Sequence, residues 1–172
     1  YDGIKLCLIE ELEAHLHPQA QMKVIKALQQ QKNTQFILST HSPNLASKIR
    51  LSDANTSIIL CKGCDVYPMD KGLTRLSDSD YIFLEHFLDV TKSNLFFAKG
   101  IILVEGWAEE ILIPIIAQKI GLDLTEHEIS IINVGSTAYL HYAKIFMRND
   151  GKILDYPVAV ITDKDVTVKE DG

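Results

Sequence analysis

The sequence predicts an α/β protein built on mainly parallel sheets, and three observations predict it. Short apolar runs alternate with segments of helical spacing, as crossover units require. Two of these runs, residues 6–9 and 101–104, stop at carboxylates: Glu10-Glu11 and Glu105. A third run, 157–161, leads into Asp163-Lys164-Asp165. In parallel sheets the carboxyl ends of the strands are where ligands gather.

Each element follows from the local pattern. Residues 5–9 read as a buried strand. Pro18 suits a first helical turn, and the helix is expected to run to about residue 31, with Met22, Val24, Ile25 and Leu28 as its buried face. Residues 35–39 form the next strand, and Pro43 opens a short helix. Strands at 57–60 and 65–69 flank Cys61-Lys62-Gly63-Cys64, which reads as a hairpin turn. Residues 70–79 are a polar connection and 80–90 are helical. A second unit begins near Phe97. It has a strand at 101–104, a helix at 107–120 closed by Gly121, a strand at 129–134, a helix at 138–147 and a strand at 157–161. The boundary falls between residues 90 and 99, giving units 1–92 and 93–172. No repeat or low-complexity segment is present.

Composition narrows the function classes. The 172 residues are 47% apolar and 23% charged, as in globular proteins. The longest apolar run, residues 111–117, is too short to cross a bilayer, so no membrane role is expected. The net charge of −6 argues against a protein that coats DNA, but metal-holding carboxylates add negative charge by design. Three cysteines without a signal peptide suggest a reducing cytoplasm. One C-x-x-C lacks the second pair that a zinc site needs. The sequence opens on Tyr1 and trails off after residue 166, and is expected to be cut from a longer chain.

Two constellations carry chemistry. Glu10 and Glu11 follow a strand, and His41 follows the next one within Ser39-Thr40-His41-Ser42-Pro43. One acid can hold Mg²⁺ while the next activates the water that attacks a γ-phosphate, and a His on the neighbouring strand can reach the same phosphate. In the second constellation, Glu105-Gly106 ends a strand and Glu109 lies one helical turn on. Asp163 and Asp165 alternate along an extended segment and share a side. Converging carboxylates suit Mg²⁺ or Mn²⁺, and two such ions about 4 Å apart can clamp both the attacking and the leaving oxygen of a phosphodiester. Asn133-Val134-Gly135-Ser136 follows the middle strand, and Ser136 is read as a helix cap. Lys144 and Arg148 are read as solvated, and Trp107 as partly buried. His15 and His17 are read as loop-packing residues in preference to a metal pair.

Glu10-Glu11-Leu12-Glu13-Ala14-His15-Leu16-His17-Pro18, followed by a helix, a strand and Ser39-Thr40-His41-Ser42-Pro43, resembles the Walker B, D-loop and H-loop segment of ABC-type ATPases. The match is to the branch that holds RecF-like and OLD-family proteins. Leu12 stands where that branch often has Pro, and Glu10 where most ABC ATPases have Asp. The second constellation looks like a Toprim domain, a Rossmann-like fold. Asn94-Leu95-Phe96-Phe97-Ala98-Lys99-Gly100 leading into Val104-Glu105-Gly106-Trp107-Ala108-Glu109 resembles the OLD (overcoming lysogenization defect) nucleases.

The resemblance implies the end of an ABC-type ATPase domain with a connector at 1–92, then the front of a Toprim nuclease domain at 93–172. It assigns Glu10 as the Mg²⁺-side acid, Glu11 as catalytic base and His41 as phosphate sensor. It assigns Glu105, Glu109, Asp163 and Asp165 as metal ligands, with Glu105 and Asp163 catalytic. The implied activity is an ATPase-linked, Mg²⁺- or Mn²⁺-dependent DNA endonuclease of phage defence or DNA processing. ATP, DNA and a second copy bound through the ATPase domain are the implied partners, and a helicase is a candidate further one that the resemblance does not decide. The P-loop, the ABC signature and the later Toprim acid and Lys do not occur in these residues, so this chain alone is expected to be inactive. The competing readings are a primase or topoisomerase-like Toprim enzyme, for which Tyr139 and Tyr142 look like packing residues, and a non-catalytic ABC-type DNA-binding module.

Overall fold

The computed structural model of the chain describes residues 5–48 and 55–163. The first unit is a β-α-β crossover: β1 (Leu6–Glu10), α1 (Pro18–Gln29), β2 (Gln35–Ser39) and then α2 (Pro43–Ala46). β1 and β2 pair in parallel from Leu6 opposite Gln35 to Glu10 opposite Ser39. A hairpin of β3 (Ile59–Lys62) and β4 (Asp65–Pro68) follows, then α3 (Asp78–Phe87) and a 3-10 turn at Lys92–Phe96. The last unit contains β5 (Gly100–Val104), α4 (Trp107–Lys119), β6 (Ile129–Asn133), α5 (Tyr139–Ala143) running into a 3-10 turn, and β7 (Val158–Ile161). Its sheet has the order β6-β5-β7, all parallel. The fold is α/β with mainly parallel strands.

The core sits under the second sheet. Ile101, Leu103 and Ile132 from its strands meet Tyr142 and Ile145 from α5 and the turn after it. Tyr67, Met69, Tyr81, Leu84 and Leu95 from the connecting segment complete the same cluster. The connector therefore packs against the second sheet. Ser77 caps α3, and Asp80 at the third position binds back to the Ser77 backbone, so two orphan N–H groups are satisfied. The Asp80 carboxylate, 1% exposed, also meets Lys144 Nζ at 3.0 Å and His141 Nδ1 at 2.6 Å, which joins α3 to α5. Burial alone raises its pKa, but bonds from Ser77, Lys144 and His141 outweigh this and hold it well below the ordinary carboxylate range.

Several expectations need correction. β1 is not buried: Leu8 is 69% exposed, and Leu6 and Ile37 are exposed too. Among the described residues its sheet has only two strands, so nothing covers that face. In α1 the apolar stripe is half-buried, and the one buried residue is Gln21, whose amide donates to the Leu16 carbonyl at 2.8 Å. α5 is shorter than expected, because the chain tightens into a 3-10 turn at Lys144–Phe146 and extends at Met147. Lys144 is not solvated but bound to Asp80. Arg148 is buried, paired with Asp150 and donating to the Pro68 carbonyl. Trp107 is 75% exposed, not partly buried. Cys61 on β3 and Cys64 in the β3–β4 turn are free thiols, in keeping with the hairpin. Among the described residues no helix is long and apolar enough to cross a membrane.

Candidate functional site

The first edge is built by the β1–β2 register. Because Glu10 lies opposite Ser39, both strands deliver their next residues to the same end of the sheet. Glu11 follows β1 with φ 45°, and its N–H donates to the Ser39 carbonyl at 3.0 Å. His15, with φ 66°, is a second left-handed residue in the same loop. Such conformations cost side-chain-bearing residues about 1 kcal/mol or more and persist where surrounding bonds impose them. Glu10, Glu11 and His41 are all exposed at this edge. His17 accepts the Gln19 N–H through Nδ1 at the start of α1, which gives it a capping role.

Sequence reasoning missed the acid that joins the two loops. Glu13 Oε1 accepts the His41 backbone N–H at 2.6 Å. Burial raises the Glu13 pKa, but the backbone N–H groups of Glu13 and His41, the Thr40 hydroxyl and the His41 charge outweigh it, so the carboxyl sits below its ordinary value. Nothing in the sequence pairs position 13 with position 41. Only the strand register brings them together.

The second edge lies at the carboxyl ends of β6, β5 and β7. Val104 pairs with Asn133 on one side and Ile161 on the other. Glu105, one residue beyond β5, and Asp163, two beyond β7, therefore leave from adjacent strand ends. Gly106 caps α4 with φ −147°, a conformation open to any residue. A Cβ there would sit 3.1 Å from Glu109 Oε2, the tip of a flexible side chain that would have to shift by a few tenths of an ångström. Glu109 and Glu110 occupy the first turn of α4. Glu110, also missed, accepts from Asn133 Nδ2 at 2.9 Å, while Asn133 Oδ1 accepts from the Gly135 N–H at 2.8 Å. Gly135 has φ 68°, which turns the chain there at little cost. Ser136 does not cap α5 as expected: the cap position is Ala138, and Ser136 Oγ accepts the Ala138 N–H at 3.2 Å.

Asp165 lies outside the described residues. Among those described, no three acids, histidines or cysteines come close enough together to hold a metal ion. Glu105, Glu109 and Asp163 share an edge without forming a closed cage. On α5, Tyr142 is fully buried and burial pushes its phenol pKa up, while Tyr139 is half-buried and packs against the core.

Comparison with known proteins matches residues 96–165 to the overcoming lysogenization defect protein-like Toprim domain and residues 3–46 to an AAA ATPase domain. The chain is 26% identical to an endonuclease GajA of Bacillus cereus over 98% of its own length and 27% of that relative's. It is 26% identical to an OLD nuclease of Thermus scotoductus over 96% of the chain and 32% of the relative. It is 31% identical to a retron Ec83 probable ATPase of Escherichia coli over 73% of the chain and 23% of the relative. The chain thus spans between a quarter and a third of the curated nucleases it matches.

Proposed function

This chain belongs to the OLD family, an ATPase segment followed by a Toprim segment, and from that premise we propose that the whole protein is an ATPase-linked, divalent-metal-dependent DNA endonuclease. The observation that carries this reading is the placement of Glu105 and Asp163 on adjacent parallel strand ends, with Glu109 on the next helical turn. Residues 1–92 serve as the end of the ATPase domain with its connector, and residues 93–172 as the front of the Toprim domain.

The donor set fits Mg²⁺ or Mn²⁺ in kind, since Glu105, Glu109 and Asp163 all offer hard carboxylate oxygens. At Gly106 no Cβ crowds the Glu109 carboxylate. Glu105, Glu109, Asp163 and Asp165 would hold the ion. When bound, it supplies Lewis-acid activation of the phosphodiester and a water of lowered pKa. Asn133 holds Glu110 beside that group and so keeps the first turn of α4 against β6. At the other edge, Glu10 takes the Mg²⁺ side of ATP, Glu11 is the general base and His41 senses the γ-phosphate. A second copy binding through the ATPase domain, a helicase partner, a cytoplasmic setting and a role in phage defence belong to the same proposal. The net charge of −6 supports a DNA-gripping surface outside these residues.

The test is supercoiled plasmid incubated with the full-length protein and Mg²⁺ or Mn²⁺. Nicked or linear product is expected, and Asp163→Ala is expected to remove it. Relaxed closed circles would indicate a topoisomerase-like enzyme. Plasmid bound but uncut would support a non-catalytic clamp.

A further inference from the structure

We infer that Glu13 is a positioning residue for ATP hydrolysis, fixing the His41 backbone relative to Glu11 across the ends of β1 and β2. The inference rests on the ATPase reading of that edge and adds a residue to it.

Two cross-loop bonds run in opposite directions between the same segments. Glu11 N–H donates to the Ser39 carbonyl at 3.0 Å, and Glu13 Oε1 accepts from the His41 N–H at 2.6 Å. Together they make a two-rung clamp between residues 11–13 and 39–41. The clamp continues through Thr40, whose hydroxyl accepts the Ser42 N–H at 3.0 Å at the entry to α2. Helix stabilisation does not account for Glu13. It lies ahead of α1, whose first turn holds no acid, so the helix dipole is no reason for it. Its loop holds the left-handed Glu11 and His15, and strain of that kind needs a bond that sets the loop's shape. A charge-assisted bond across two strand ends is such a bond. It leaves the Glu11 and His41 side chains free and exposed while fixing the backbones that carry them.

The test is steady-state ATP hydrolysis by the full-length protein with Glu13→Ala, Glu13→Gln and, as a control of the reading itself, Glu11→Gln. Glu13→Ala is expected to lower kcat about tenfold with KM changed by less than about twofold, as for a group that acts on geometry and not on nucleotide binding. Glu13→Gln keeps an acceptor oxygen for the His41 N–H and is expected to retain at least about a third of wild-type kcat. It also remains informative if Glu13→Ala fails to fold. Wild-type turnover in Glu13→Ala, or an equal loss in Glu13→Gln and Glu13→Ala, overturns the positioning role. Unchanged turnover in Glu11→Gln overturns the ATPase reading separately.

Discussion

The two carboxylate edges reach order by different routes. At the β1–β2 edge the sheet is thin and half-exposed, yet its loops are tied by the Glu11–Ser39 and Glu13–His41 bonds. At the β6-β5-β7 edge the sheet rests on an apolar core, yet among the described residues its acids leave from strand ends without closing on one another. Backbone and charge-assisted bonds can preorganise a site that has little packing beneath it. Packing fixes where strands end but does not by itself bring carboxylates to a common point.

Substitutions can break this comparison, and the largest effect is expected at the first edge. Glu11→Gln removes a general base and should cut ATP turnover of the full-length protein at least about 100-fold while leaving folding unchanged. Retained turnover would remove Glu11 from the chemistry. Next come the cores. Leu103, fully buried in β5, should cost about 2–5 kcal/mol as Leu103→Ala, read by denaturant titration. Leu8→Ala, on the exposed face of β1, should cost less than about 0.5 kcal/mol in the same assay. Equal losses would mean that the first sheet is as well packed as the second.

Asp80, in the connecting segment that packs against the second sheet, gives a smaller, pH-dependent effect. Its folded pKa is depressed, so the unfolded chain binds the extra proton first as pH falls. The stabilisation is therefore complete above the ordinary Asp value of about 3.9 and drains away as pH drops below it. Asp80→Asn should lose about 1–3 kcal/mol at neutral pH and show a flatter acid limb in denaturant midpoint against pH. A variant with the wild-type limb would place the acid sensitivity elsewhere. The smallest effect is Trp107→Ala, expected within about 0.5 kcal/mol of wild type because the indole is exposed.

Much of the fold was legible because apolar runs and punctuation agree. Pro18, Pro43 and Gly121 mark helix ends close to where they occur, and β2 falls at residues 35–39 as read. Burial was less legible. The run that became β1 has the composition of a buried strand, but burial depends on partners that periodicity does not reveal. Lys144 and Arg148 were read as solvated because the sequence does not show that Asp80 and Asp150 wait for them. The candidate acids stood out because they follow apolar runs at strand ends. Glu13 and Glu110 did not stand out, since their partners His41 and Asn133 are brought near only by parallel register and by helix docking.

The central claim is that the Toprim edge holds a divalent ion through the carboxylates after β5 and β7. Its most direct test is calorimetric titration of nucleotide-free full-length protein with Mn²⁺, wild type against Asp163→Ala/Asp165→Ala. The account predicts binding heat in the wild type that disappears in the double variant. Binding that survives unchanged in the double variant would contradict it.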